Sequence, residues 1–216
     1  MTTAGTATTG PPTDVGTGIT SPDTATDTGG HSATPTDADS GGVTVWLTGL
    51  PSAGKSTLAR ELAPRLRAAG RRVEVLDGDE IREFLSAGLG FSREDRHTNV
   101  QRIGFVAQLL ASHGVTVLVP VIAPYAESRE AVRERHRAAG TSYLEVHVAT
   151  PVEVCSVRDV KGLYAKQAGG EITGLTGVDD PYEAPVDPDL RIAAHEQSVS
   201  ESAAALESLL RERGSA

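Results

Sequence analysis

Several things are scarce in this sequence, and each shortage excludes a class of answers. Its 216 residues hold one cysteine, Cys155. No internal disulfide can form, and a reducing, cytoplasmic setting fits. Cys155 itself reads as a small buried residue. No apolar run approaches the ~20 residues of a membrane span, and the N-terminus has neither the basic start nor the apolar core of a signal peptide. Positive charge is also short, with 20 Lys and Arg against 29 Asp and Glu, a net −9. That balance argues against nucleic acid as a partner, so an anionic small substrate would have to be met by local clusters of Arg and Lys.

The shortage is greatest at the start. Residues 1–42 contain no Lys, Arg or aromatic residue and are mostly Thr, Gly, Ala, Pro, Ser and Asp. Such a segment has almost nothing to bury and is expected to be a disordered tail. Its lack of Arg speaks against an organellar transit peptide. Five Asp in this tail carry more than half of the net charge, leaving about −4 for residues 43–216, the length of one ordinary domain.

What is present is concentrated in Gly49-Leu50-Pro51-Ser52-Ala53-Gly54-Lys55-Ser56, a G-x-x-x-x-G-K-S phosphate-binding loop. Residues 43–48 before it are β-branched and apolar, as a buried parallel strand should be. From Thr57 the chain reads as an amphipathic helix with Leu58, Leu62 and Leu66 on one face. Glycines let backbone N–H groups turn toward a polyphosphate, and the helix start adds its positive end. Lys55 is placed to neutralise the β- and γ-phosphates, and the Ser56 hydroxyl to ligate Mg²⁺.

Strands and helices then alternate. Strands are expected at 73–76, 115–119, 143–148 and 189–192, and short helices at 79–87 and 152–158. Ser92 reads as an N-cap with Asp95 at the third helical position, opening a helix that runs to Gly114. Further helices are expected at 127–139 and 198–213. Residues 161–180, rich in Gly with little apolar content, suggest a mobile lid. Repeated βα units imply an α/β fold: a parallel sheet of about five strands with helices on both faces. Ligands should gather at the carboxyl ends of the strands.

At the end of the second strand stand Asp77 and Asp79. Beside a phosphate loop, one such carboxylate can hold Mg²⁺ through water, and the other can accept a proton from an attacking hydroxyl. We assign the metal to Asp77 and the proton to Asp79, although an Asp here also suits a helix N-cap. Arg82, one turn beyond Asp79, suits an anionic acceptor. No Asn-Lys-x-Asp or Thr-Lys-x-Asp stretch is present, so guanine selectivity of the GTPase kind is not expected. The D-x-x-G match at 159–162 follows a helix rather than a core strand. The third strand ends in Pro120 and not in the acidic residue of a motor or transport ATPase. A small-molecule kinase remains.

Several separate blocks resemble the adenylylsulfate kinase family. They are Leu76-Asp77-Gly78-Asp79, Gly90-Phe91-Ser92-Arg93-Glu94-Asp95-Arg96 with Asn99 and Arg102-Ile103-Gly104, Pro124-Tyr125, Glu153-Val154-Cys155 with Arg158-Asp159, Lys161-Gly162-Leu163-Tyr164, and Thr176-Gly177 with Pro181-Tyr182-Glu183. The resemblance spans about residues 43–192. It implies the P-loop kinase fold and transfer of the γ-phosphate of ATP, with Mg²⁺, to the 3′-hydroxyl of adenosine 5′-phosphosulfate. It also implies that Gly49 to Thr57 hold ATP, with Arg158 near the adenine. Arg82, Phe91, Arg96, Asn99 and the backbone of Val121, Ile122 and Ala123 would contact the acceptor, and Lys161 would close over both ligands. It allows a homodimer.

The sequence departs from the family pattern at four places. Val121-Ile122-Ala123-Pro124-Tyr125 stands where Phe-Ile-Ser-Pro-Tyr is common, Thr98 replaces a Glu, Val160 replaces a Pro, and Leu175 replaces a lid aromatic expected to face the acceptor. A related kinase for another nucleotide-like or small hydroxylated acceptor is therefore the second reading. A third, a regulatory nucleotide-binding subunit, is opposed by the intact Lys55, Ser56, Asp79 and Arg82.

Overall fold

The first strand occupies the centre of the sheet and decides how both faces are covered. The computed structural model of the chain describes residues 41–214, so the expected tail lies outside the described residues except for Gly41 and Gly42. Strand β1 (Val43–Thr48) is buried along its whole length. Its alternate side chains enter two cores. Val43, Val45 and Leu47 pack with Leu58, Leu62 and Leu66 of α1 (Lys55–Ala68) and with Leu206 and Leu210 of α7 (Val199–Glu212). Trp46 points the other way, against Val100, Ile103 and Ala107 of α3 (Arg93–Ala111) and Val132 of α4 (Ala126–Ala138).

Thr44, the other inward residue of that second face, is polar and fully buried. It is satisfied by His136 of α4, whose Nε2 lies 2.8 Å from the Thr44 hydroxyl. The His136 Nδ1 lies 2.8 Å from the Val132 carbonyl, which can only accept. Nδ1 therefore carries the proton, and burial holds the ring below its ordinary pKa.

β2 (Val73–Val75), β3 (Thr116–Pro120), β4 (Ser142–Val148) and β5 (Leu190–Ile192) complete a five-stranded, wholly parallel sheet in the order β2-β3-β1-β4-β5. Short helices α2 (Gly78–Phe84), α5 (Val152–Arg158) and α6 (Leu163–Ala168) sit in the connections. The expected elements are present with small changes. α1 begins at Lys55 rather than Thr57, because Lys55 and Ser56 already form its first turn. α2 ends at Phe84; it has no buried residue to prolong it.

Residues 161–180, the expected lid, hold more regular structure than their Gly content suggests: they contain α6 and bury Tyr164, Leu175 and Thr176. The Tyr164 hydroxyl donates to the Pro51 carbonyl at 3.1 Å, and the backbone N–H groups of Gly174 and Leu175 donate to Asp179. These are long-range and turn contacts that composition does not reveal.

Candidate active site

At Thr48 the central strand ends and the phosphate loop begins. Gly49 has φ +154°, and a Cβ there would stand 2.5 Å from the Val148 carbonyl oxygen of β4. Only glycine lets β1 leave the sheet this close to its neighbour. The loop runs straight into α1, whose start has no side-chain cap. Its free N–H groups form an anion site.

Lys55, buried in that first turn, donates from Nζ to the carbonyls of Gly49 at 2.8 Å and Leu50 at 2.7 Å. Burial pulls its pKa down to about 7. A polyphosphate would supply the direct countercharge that the two backbone carbonyls do not.

The two carboxylates after β2 have divided their work. Asp77 is the N-cap of α2, its Oδ1 accepting from the Asp79 N–H at 3.1 Å. Its Oδ2 is left facing Arg60 at 3.9 Å. Asp79, in the first turn, keeps its carboxylate outside the helix, where the Lys161 ammonium donates to Oδ2. The segment that follows α5 thus reaches across to the start of α2.

Between α2 and α3 the chain presents Phe91, 67% exposed. It is a ring displayed at the surface of the site, not a core residue. Arg82 lies over its face, with the guanidinium carbon 4.5 Å from the centroid, and donates to the Gly90 carbonyl at 3.1 Å. Burial first, then repulsion from Arg96, lowers the Arg82 pKa. The Arg96 guanidinium is heavily committed within the protein. It donates to the Phe91 carbonyl at 2.8 Å, the Thr176 hydroxyl at 2.5 Å and the Gly174 carbonyl at 2.6 Å, and it faces Asp180 at 3.6 Å. It pins the 174–180 turn to α3. Asn99, one helical turn on, is buried with its Oδ1 unpartnered among the described residues, which leaves an acceptor for a ligand donor.

These walls enclose one cavity of about 690 Å³, within the usual size of a small-molecule site. From the phosphate loop, Pro51, Ser52, Ala53, Gly54, Lys55, Ser56 and Thr57 line it. Asp77, Asp79, Arg82, Phe91, Arg96 and Asn99 line the second side, with Ile122 and Ala123 after β3. Arg158 and Lys161 close the remaining side, Arg158 donating to the Ala194 carbonyl at 3.3 Å.

Three expected residues are not on this wall. Gly49 and Leu50 stand behind it, offering carbonyls to Lys55. Leu175 belongs to the α1 face of the core, 6% exposed, because the turn closed by Asp179 directs it inward. The assignment of Leu175 to the acceptor is therefore withdrawn. The sequence assigns no site role to Thr48 or to Tyr182. The Thr48 hydroxyl donates to the Ile122 carbonyl at 2.5 Å and lies 3.1 Å from the Tyr182 hydroxyl. Thr48 looks like any β-branched strand residue, and only its place at the end of β1 beside the glycine loop could have marked it.

The family model for adenylylsulphate kinase matches residues 41–193. The adenylyl-sulfate kinase of Chloroflexus aurantiacus is 57% identical over 160 residues, 74% of this chain and 84% of that protein. The adenylyl-sulfate kinase of Myxococcus xanthus is 51% identical over 175 residues, 81% of this chain and 94% of that protein. Among solved structures, the Mycobacterium tuberculosis APS kinase in complex with AMPPNP and APS superposes with a TM-score of 0.77 at 47% identity, covering 79% of this chain and 98% of that one. Phosphate loop, carboxylate pair, the basic wall opposite and sequence likeness all fall on the same stretch, and the chain belongs to the adenylylsulfate kinase family.

Proposed function

We propose that the chain transfers the γ-phosphoryl group of ATP to the 3′-hydroxyl of adenosine 5′-phosphosulfate, giving 3′-phosphoadenylyl sulfate. The observation that carries this reading is the single cavity in which Lys55 of the phosphate loop and Arg82, Phe91 and Asn99 of the opposite wall converge. Donor and acceptor are both anionic. Lys55, Arg82, Arg96 and Lys161 supply the countercharge in a protein that is otherwise acidic.

In this mechanism the loop backbone and the start of α1 hold the ATP phosphates, and Lys55 leaves its loop carbonyls for the β- and γ-phosphates. Arg82 and Phe91 seat the acceptor, the ring offering a face to its adenine. Asp79 orients the attacking hydroxyl and takes its proton, once Lys161 turns from Asp79 to the phosphates. Residues 161–180 act as the lid that carries Lys161. The donor set near the phosphates is one hydroxyl, Ser56, and the free oxygen of Asp77; among the described residues no group of three or more His, Cys, Asp or Glu could hold a metal alone. That sparse oxygen set fits Mg²⁺, which keeps most of its ligands from phosphates and water. When bound, Mg²⁺ supplies charge neutralisation on the β- and γ-phosphate oxygens. Cys155 is free and buried, which accords with a reducing compartment such as the cytoplasm.

The test is product formation by the purified protein from Mg-ATP and adenosine 5′-phosphosulfate, run beside a panel of other hydroxylated acceptors. Turnover confined to adenosine 5′-phosphosulfate is expected. Turnover only with another acceptor would overturn the acceptor, and none with any would overturn the activity.

A further inference from the structure

One heavily bonded side chain near the cavity does not line it. Arg129, in the second turn of α4, is 3% exposed and spends its guanidinium on three separate parts of the chain. Nε donates to Glu145 Oε1 of β4 at 2.6 Å, Nη1 to the Ala123 carbonyl at 2.8 Å, and Nη2 to the Glu183 carbonyl at 2.7 Å. Only the first of these is an ion pair of the fold. The other two hold backbone.

The Ala123 bond matters because of where that residue stands. Ala123 lines the cavity and has φ +44°, a conformation that L side chains avoid. It also precedes Pro124, whose ring restricts it further and whose nitrogen carries no proton. The Ala123–Pro124 peptide can therefore be held only through its carbonyl, and Arg129 is what holds it. The Glu183 bond closes the other half of the arrangement. The Glu183 N–H donates to the Pro124 carbonyl at 2.8 Å, and its carboxylate accepts from the Ala126 N–H at 2.7 Å. One planar fork thus locks a strained turn of the cavity wall to the segment that leaves the lid.

We infer that Arg129 is a positioning residue for the acceptor: it touches no substrate and fixes the Ile122–Ala123 wall against which the acceptor sits. Arg133, the next arginine on the same helix face, is the natural control. It pairs with Glu145 Oε2 at 3.0 Å and Asp189 at 3.5 Å, so it shares the buried carboxylate without reaching the 121–124 turn. Lysine at 129 keeps the charge but can reach only part of the fork, which leaves the Ala123 or Glu183 carbonyl unheld.

The inference rests on the placement of the acceptor at this wall proposed above. The experiment measures KM for adenosine 5′-phosphosulfate, KM for ATP, kcat and Tm in Arg129→Lys, Arg129→Gln and Arg133→Lys. For both Arg129 variants, kcat/KM for adenosine 5′-phosphosulfate should fall about tenfold or more, chiefly through KM, with KM for ATP unchanged. Arg133→Lys should lower Tm to a similar degree while leaving both KM values in place. Loss of Tm with unmoved KM in Arg129→Lys would make Arg129 merely structural and overturn the inference alone. A rise in KM for ATP, with that for the acceptor unmoved, would overturn it by showing that the wall faces the nucleotide. If Arg129→Gln does not fold, Arg129→Lys decides between these outcomes.

Discussion

Lys55 is a buried cation whose bonds, in the protein alone, go to two backbone carbonyls and no carboxylate. Burial takes its pKa from the ordinary 10.5 down to about 7. Bound polyphosphate would restore the charged form, so above pH 7 binding must take up a proton. Below pH 7 the ammonium already exists and binding is indifferent to pH on this account. Between pH 7.5 and 9 the Kd for ATP should therefore rise by up to about tenfold per pH unit. Calorimetric titration across that range checks the slope; in Lys55→Ala it should vanish, and a flat curve in the unmodified protein would refute the linkage. Asp79 presents a different case. Its pairing with Lys161 is exposed and so worth little to stability. Asp79→Asn should leave Tm and ATP affinity near their starting values while cutting kcat by ~10²–10⁴-fold, the usual range for a lost general base. Steady-state kinetics would reveal it, and an unchanged kcat would leave positioning as the whole of its role. Sequence spacing places Asp77 and Asp79 at one strand end, and the metal and the proton are assigned to them there without knowledge of which one caps the helix. That division depends on which carboxylate bends back to cap α2, and the structure gives the cap to Asp77.

At the scale of elements, local chemistry was readable and long-range chemistry was not. Ser92 was expected to open a helix with Asp95 at its third position, and its hydroxyl does accept from the Asp95 N–H at 3.1 Å. Ser198 goes further, forming a reciprocal capping box with Glu201. Both are decided within four residues, so the sequence shows them. The order inside residues 161–180 is not legible in the sequence because it comes from partners far along the chain, Pro51 for Tyr164 and Arg96 for Gly174 and Thr176. Leu175 was misplaced for the same reason. The two caps also make a paired prediction. Each Ser→Ala change should cost about 1 kcal/mol, a fall of about 2–4 °C in Tm for a domain of this size. α7 supplies core residues behind the sheet, so Ser198→Ala should stop at stability. α3 carries Arg96 and Asn99 in its first two turns, so Ser92→Ala should also raise KM for adenosine 5′-phosphosulfate. Thermal melts with parallel kinetics separate the two; equal KM values in both variants would show that the start of α3 does not set the acceptor wall.

For the molecule as a whole, the alternation of strands and helices announced a parallel sheet, but not its order. Nothing local says that β3 inserts between β2 and β1, because that choice is made by the two cores that β1 feeds from opposite faces. The order has a functional result. It sets the phosphate loop after β1 beside the 121–124 turn after β3, so the walls proposed for donor and acceptor share one cavity. Both ligands can then be held at once, with the acceptor hydroxyl in line with the γ-phosphoryl and no need for the protein to carry the group between them. The family resemblance raises an alternative, a phosphoserine relay at the position filled here by Ala123. A methyl group cannot accept a phosphoryl, and Ala123 is itself on the cavity wall. Initial-rate kinetics should accordingly be sequential, with intersecting rather than parallel double-reciprocal lines. Incubation with γ-labelled ATP and no acceptor should leave no stoichiometric, acid-stable label on the chain. Ala123→Ser, which restores the hydroxyl, should not raise kcat. Label that appears on the protein and is chased into product by adenosine 5′-phosphosulfate would mean that another nucleophile carries the group. Ser128 would be the first to replace, since its hydroxyl lies 2.9 Å from His97 Nδ1 and is the nearest serine or threonine hydroxyl in sequence to Ala123.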